Sequence, residues 1–180
     1  MNLDKLFQAQ KELREHINYN GEDRFEKLVL ALLVEIGECA NEWRGFKFWS
    51  KDQSPNELTY DDYADAWYDK KGKMYSEYKN HLLEEYVDGL HFVLELGIEK
   101  DMPVQHWVPK KAKRESVNTQ FIFINALIVD FWEREEQLEY WAVLGYYLGL
   151  GEMLGFTDEQ VEDAYFAKNQ INHSRQENGY

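Results

Sequence analysis

The sequence predicts an all-α protein, a bundle of five or six helices packed around one core. Three observations predict it. Prolines are scarce, with Pro55, Pro103 and Pro109 the three in 180 residues, and proline is the residue a helix interior tolerates least. Between them, apolar residues recur every three or four positions through long stretches rich in Leu, Glu, Lys and Ala, the period of a helix with one buried face. Residues that start or stop helices stand at the ends of those stretches.

The first stretch runs from about Asn2 to Ile17, with Leu3, Leu6, Phe7, Gln10, Leu13 and Ile17 on one stripe, and Asn18-Tyr19-Asn20-Gly21 stops it. The second covers about Asp23 to Arg44, carrying Phe25, Leu28, Val29, Leu32, Leu33, Ile36 and Ala40 at helical period. Gly45 is expected to end it in the left-handed conformation. Phe46 to Lys73 is less regular and reads as a loop or a short helical insertion. A third helix is expected over about Ser76 to Ile98, ended by Asp101-Met102-Pro103. The stretch on to Lys113 holds two prolines and Lys110-Lys111-Ala112-Lys113, so it reads as an exposed connection. Helical spacing resumes near Val117 through Phe131, breaks near Glu133 to Gln137, and returns over Leu138 to Leu154. Thr157 with Gln160 three residues later forms a capping-box pattern, opening a last helix to about His173. Packing of helix on helix then supplies the core. The chain reads as one domain, 1–180, with variable segments near 51–73 and 103–116.

Hydrophobic residues make up 44% of the chain, enough to build a core and to exclude global disorder. Twenty basic against thirty-four acidic residues leave a net charge of −14. That sign speaks against a nucleic-acid or anionic-membrane surface, since either needs a basic footprint. A lone cysteine, Cys39, excludes an internal disulfide framework and a Cys-based zinc site. With no apolar signal core at the N-terminus and no run long enough to span a bilayer, the expectation is a cytoplasmic protein.

Glu35 and Glu38 lie three apart in Leu32-Leu33-Val34-Glu35-Ile36-Gly37-Glu38, and Glu85 and Asp88 repeat the spacing in Leu82-Leu83-Glu84-Glu85-Tyr86-Val87-Asp88. Residues three apart share a helix face. Two carboxylates held that close repel unless a cation or proton intervenes, and apolar neighbours make the charge costlier. If the two helices face each other, four carboxylates converge in an oxygen cage suited to Mg²⁺. The bland alternative for each pair is a solvated helix face. A di-iron carboxylate site wants Glu-x-x-His. Neither Glu35 nor Glu85 is followed by His at that spacing, although His91 lies three after Asp88. Near the C-terminus, Lys168, Asn172 and Arg175 recur at helical spacing. Two cations and an amide on one face suit phosphate oxygens, where the alternative is a polar terminal tail. Arg44-Gly45-Phe46-Lys47-Phe48-Trp49 sets a basic residue among rings. That pattern fits either a base-bracketing loop or aromatic anchors for the core.

Taken together, these motifs resemble the dimeric, all-α dUTPases, relatives of the MazG-like nucleotide pyrophosphohydrolases. The matching stretches are Glu35-Ile36-Gly37-Glu38 with Phe46-Lys47-Phe48-Trp49; Glu85-Tyr86-Val87-Asp88-Gly89-Leu90-His91-Phe92; and Lys168-Asn169-x-x-Asn172-x-x-Arg175-Gln176-x-x-Gly179-Tyr180. They span nearly the whole chain, and the look is closest to compact, phage-type members. The resemblance implies hydrolysis of dUTP to dUMP and diphosphate. It implies Mg²⁺, more than one ion, held by Glu35, Glu38, Glu85 and Asp88, with Glu38 (or Glu35) orienting or deprotonating the attacking water. It further implies phosphate and sugar contacts from Lys168, Asn172, Arg175 and Tyr180, and a closing segment bearing Lys47 and Trp49. Gln10 matches a position associated with the base, and Asn18 and His91 match positions near the ligand. The family forms homodimers with shared active sites, and some phage-borne relatives bind repressor proteins. That makes the aromatic-rich run with Tyr60, Tyr63, Trp67 and Tyr68 a candidate partner surface. Two other readings stay open: a pyrophosphohydrolase of dCTP or a non-standard nucleotide, and a non-catalytic helical regulatory protein on the same fold.

Overall fold

The computed structural model describes residues 1–56, 59–60, 67–68, 74–75, 78–102 and 110–179, with the backbone alone at 59–60, 67–68, 74–75 and 78–79. Six helices carry the all-α fold: α1 Leu3–Ile17, α2 Arg24–Trp43, α3 His81–Glu99, α4 Val117–Arg134, α5 Gln137–Met153 and α6 Asp158–Glu177. Between α2 and α3 lie four two-residue strands, β1 Thr59–Tyr60, β2 Trp67–Tyr68, β3 Met74–Tyr75 and β4 Tyr78–Lys79. β1 pairs antiparallel with β4, Thr59 opposite Lys79, and β2 with β3, Trp67 opposite Tyr75. Residues 44–56 run as turns and irregular backbone, so the described part of this segment is a loop with short extended pairs and holds no helical insertion.

The helix ends follow local chemistry. Asn2 caps α1, its side chain accepting from the Lys5 amide, and Asn18 closes it in the left-handed conformation at φ 50. At the end of α2 that conformation falls to Arg44, at φ 64, and not to Gly45. Gly45 answers a different need, since a Cβ there would run into the Trp43 ring. The third helix starts at His81, later than Ser76. Tyr78 and Lys79 pair with β1, and the Asn80 side chain accepts from the Leu83 amide. Ser116 with Thr119 and Thr157 with Gln160 form full capping boxes on α4 and α6, each satisfying two otherwise orphaned amides. α6 runs on to Glu177, past His173, so its last turn carries Arg175.

The centre of the bundle is α3, which packs on α1, α2, α5 and α6. It buries Leu82, Tyr86, Val87, Leu90, Val93, Leu94 and Leu96. Each such aliphatic side chain contributes about 1.5–3 kcal/mol when fully removed from water. Behind it, α5 buries Tyr140, Val143, Leu144, Tyr147, Leu148 and Leu150. Buried phenols need partners. Tyr147 donates to the Tyr86 carbonyl at 2.7 Å, Tyr86 to that of Tyr147 at 3.2 Å, and Tyr140 to that of Val93 at 3.2 Å. Gly89 and Gly97 of α3 make room for them, because a Cβ at either would meet the Tyr147 or Tyr140 hydroxyl.

Over 110–116 the segment after α3 is largely exposed, at Lys110, Lys113, Arg114 and Glu115, and it is tied to the bundle at half-buried Ala112. Ala112 donates to the Gly145 carbonyl at 2.9 Å and accepts from the Gln120 amide at 3.0 Å. Residues 103–109 lie outside the described residues. Among those described, no helix is long and apolar enough to cross a membrane.

Candidate functional site

α2 and α3 pack on one another through the buried faces that carry Leu32, Ile36 and Cys39 on one and Leu82 and Tyr86 on the other. That contact brings Glu35 of α2 beside Glu85 and Asp88 of α3. One carboxylate oxygen from each of the three lies within 4.8 Å of the others. Glu38 is exposed and outside this group, although its charge still acts on Glu35 and Glu85. Burial, reinforced by repulsion from Asp88 and Glu38, pushes the Glu35 and Glu85 carboxyls up to about 7. Burial also raises Asp88, against the pull of Lys168.

Lys168 of α6 faces this cluster. Its Nζ lies 2.6 Å from Asp88 Oδ2 and 3.1 Å from Glu84 Oε1. Glu84 precedes Asp88 by one helical turn, which is why one ammonium reaches both. Asn172 and Arg175 follow on the same face of α6, Arg175 Nη1 standing 3.5 Å from Asn172 Oδ1. A hollow of about 400 Å³ opens between α1, α2, α3 and α6. Glu35, Asp88, Lys168, Asn172 and Arg175 line it, together with Gln10, His91 and Glu95. Leu13, Leu28 and Phe92 give it an apolar part. Acidic, basic and apolar groups converging in one hollow is the usual composition of a small-molecule site.

The wall between α1 and α3 holds a network that the sequence reading did not single out. Buried Glu95 accepts from Gln10 Nε2 at 2.9 Å, from Arg14 at 2.7 Å and from Arg24 at 2.7 Å. Gln10 Oε1 lies 2.8 Å from the Tyr165 hydroxyl and 2.8 Å from His91 Nδ1. The His91 and Tyr165 rings stack at 4.0 Å. Burial holds His91 down to about 3, so its ring is neutral. Two signals for this network stood in the sequence: a lone Glu inside Val93-Leu94-Glu95-Leu96, and Arg14 one turn after Gln10.

The other residues of interest sit elsewhere. Asn18 is the exposed C-cap of α1. Lys47 Nζ donates to the Asn41 carbonyl at 3.0 Å. Trp49 is 65% exposed, with the Phe46 and Phe48 rings edge-on to it. None of these three lines the hollow. Tyr180 lies outside the described residues, as do the side chains of Tyr60, Tyr63, Trp67 and Tyr68.

The carboxylate cluster fits a hard divalent cation. It offers oxygen donors with no Cys or His among them, the set that suits Mg²⁺ and not a softer metal. Burial first, and repulsion within the cluster second, push Glu35 and Glu85 up to about 7, a cost that a bound cation would relieve.

A family model described as dUTPase matches residues 2–68 and 67–180 of the chain. No curated protein matches it.

Proposed function

The chain belongs to the all-α dUTPase family, and from that premise we propose how its own residues perform the reaction. It is a nucleotide diphosphatase that hydrolyses a phosphoanhydride of dUTP. The observation that carries the residue assignment is the shared hollow, where Glu35 and Asp88 of the three-carboxylate cluster meet the Lys168–Asn172–Arg175 face.

dUTPases generally use a divalent metal, and we assign Mg²⁺ to Glu35, Glu85 and Asp88, with Glu38 at the edge of the set. Such a cation, when bound, offsets the charge of the triphosphate and lowers the pKa of water in the site. Glu38 then orients a water and takes its proton, with Glu35 the alternative base. The water oxygen bonds to phosphorus as the bridging oxygen–phosphorus bond breaks, and dUMP and diphosphate leave. No nucleophilic side chain is required. Lys168 and Arg175 donate charge-assisted hydrogen bonds to phosphate oxygens, where negative charge accumulates. Asn172 adds an amide, and Tyr180 a phosphate or sugar contact. Gln10 and His91 serve the base. Lys47 and Trp49 belong to the segment assigned to close over the nucleotide, with Asn18 at its rim.

Exposed Leu30 and Val34 on α2, with Ile122, Val129 and Trp132 on α4, support a homodimer, since apolar side chains of that size favour burial. In that reading the partner subunit completes each site. The run bearing Tyr60, Tyr63, Trp67 and Tyr68 has the aromatic composition of a contact surface, the part we assign to a protein partner such as a repressor. Buried, unpaired Cys39 suits a reducing cytoplasm.

A hydrolysis panel tests the reading, with dUTP, dUDP, dCTP and dTTP side by side, with and without Mg²⁺. Release of dUMP and diphosphate from dUTP alone, abolished by chelator, is expected. Equal turnover of dCTP and dUTP would remove uracil specificity, and metal-independent turnover would remove the carboxylate cluster from the mechanism.

A further inference from the structure

We propose that His16 and His173 form a second metal site, a pair of imidazoles that takes a zinc-class divalent cation and ties α1 to the end of α6. His16 stands in the last turn of α1, and His173 lies one turn before the end of α6. The two helices pack side by side. Tyr165 donates to the Leu6 carbonyl at 3.3 Å and Asn169 to that of Ala9 at 3.4 Å. His173, the next residue at that spacing, meets His16. Although 157 residues separate them in the chain, their Nδ1 atoms are 2.8 Å apart.

The ring centroids are 5.1 Å apart, with the planes 27° from parallel. That separation is the gap between the nitrogens plus one ring radius at either end. The two nitrogens therefore point at one another along the line joining the rings. The lone pair of an imidazole nitrogen lies in the plane of its ring, so two such lone pairs aimed at one point repel unless something positive lies between them. Without metal it is a single proton, which one neutral ring carries on Nδ1. A cation takes its place. Both nitrogens then give their lone pairs to the metal, and the displaced proton passes through solvent to Nε2 of its own ring. The pair keeps the same number of protons and gains the charge of the cation.

Zinc–imidazole bonds of about 2.0–2.1 Å at a tetrahedral angle set the nitrogens about 3.3 Å apart, roughly half an ångström beyond the present gap. His16 is exposed and His173 half-buried, so rotation of the rings supplies that opening. Water fills the remaining positions, because among the described residues the one group of three or more metal-ligating side chains is Glu35, Glu85 and Asp88. Donor type separates the two sites. Imidazole suits Zn²⁺, Ni²⁺ and Cu²⁺, and an all-carboxylate set suits Mg²⁺. Leu13 and Ile17 on α1, and Asn172 and Arg175 on α6, line the hollow beside the pair. A cation held there fastens the last turns of α6, which as a helix end are prone to open, against α1 at the edge of that hollow.

The test is a Zn²⁺ titration of the full-length protein in excess Mg²⁺, which keeps the carboxylate cluster from being counted as the new site. Isothermal calorimetry of the wild type should show a single Zn²⁺ site. His16→Asn and His173→Asn should each weaken it at least about 10-fold. The double variant should be about as weak as either alone, since one imidazole by itself does not chelate. NMR with ¹⁵N-labelled histidine locates the site. The Nδ1 resonances of the two rings, identified by their loss in the single variants, should shift together with Zn²⁺ and stay still with Mg²⁺. Amide hydrogen exchange over the last two turns of α6 should slow with Zn²⁺ in the wild type and not in the double variant.

Equal Zn²⁺ affinity in the wild type and the double variant overturns the proposal, as does an equal response of the rings to Mg²⁺. A wild type that takes up no Zn²⁺ overturns it with no variant needed. Unchanged exchange in α6 at saturating Zn²⁺ removes the tie between the helices. None of these readouts depends on turnover of dUTP, so the fate of that reading and of this one are decided separately.

Discussion

Replacing Lys168 with Met probes the two demands placed on that side chain. Met keeps the stem and its packing while deleting the ammonium. In the chain as it stands, Lys168 is paired to Asp88 at 2.6 Å and Glu84 at 3.1 Å, and its side chain is 11% exposed. Without it, Asp88 faces Glu35 and Glu85 within a 4.8 Å cluster, with no ammonium to compensate. An exposed pair is worth roughly 0–1 kcal/mol, and breaking a fully buried one costs about 3–5 kcal/mol. Asp88 is 19% and Glu84 37% exposed, so the loss falls between those limits, at about 2 kcal/mol. For a chain of this length that is a fall in Tm of about 4–8 °C in the presence of chelator. Mg²⁺ supplies the missing positive charge. It should therefore raise the Tm of the variant more than that of the wild type, where Lys168 already engages Asp88. Turnover should not recover in parallel, because the phosphates still lack their ammonium. A drop in kcat/KM for dUTP of about 10²-fold is expected even at saturating Mg²⁺. Thermal unfolding followed by circular dichroism, in chelator and in Mg²⁺, reads the first half, and steady-state hydrolysis the second. An unchanged Tm in chelator, or identical Mg²⁺ shifts in the two proteins, would refute the reasoning.

Three further outcomes are expected. Glu38→Gln should cut turnover by about 10²–10⁴-fold with helicity and the Mg²⁺-induced Tm shift retained, because Glu38 lies outside the three-carboxylate group; loss of that shift would make it a principal ligand. His91 sits near 3 against an ordinary 6.5 because burial disfavours its charged form. Its contribution is therefore full above pH 6.5 and is lost as pH falls toward 3, about 3 kcal/mol of it by pH 4.5; urea denaturation of His91→Phe should show a shallower acid slope, and an equal slope counts against this. Gly149→Ala should cost about 2–3 kcal/mol by urea denaturation, since the new Cβ would run into the Ala112 backbone; full stability there would mean that the segment at Ala112 yields freely.

Most of the helices were legible because their signals are local. The capping box at Thr157 and Gln160 involves neighbours in sequence, and the apolar period over α2 or α4 needs no partner to be read. The start of α3 was not legible in that way. Tyr78 and Lys79 leave the helix because they pair with Thr59 and Tyr60, a contact about twenty residues away along the chain. The hand-over of the left-handed residue from Gly45 to Arg44 likewise depends on where the Trp43 ring lies. At the site, the acidic pairs announced Glu35, Glu85 and Asp88, because repelling carboxylates in apolar surroundings need an explanation. The same spacing treats Glu35 and Glu38 alike, and only the rotation of α2 against α3 turns one inward and leaves the other exposed. Glu95 was visible as a misfit in an apolar run. Its partners Gln10, Arg14 and Arg24 lie 85, 81 and 71 residues away, and no pattern in the sequence connects them.

The placing of both halves of the site on α3 has a mechanical consequence. Asp88, His91 and Glu95 follow at intervals of three and four on one face, spanning about 10 Å at 1.5 Å per residue. One rigid element thus separates the phosphate end of the proposed site from the base end. Its register is held from behind by α5, which contributes no residue to the hollow. The Tyr147 and Tyr140 hydroxyls reach the Tyr86 and Val93 carbonyls of α3 where Gly89 and Gly97 leave room. These two contacts fall either side of His91. A side chain added at Gly89 or Gly97 would push α3 away from α5 and into the hollow, so it would disturb Asp88 and His91 together. That is why an apolar helix remote from any substrate atom belongs to the physics of this site: it sets the position of the helix from which the distance between phosphate and base is measured.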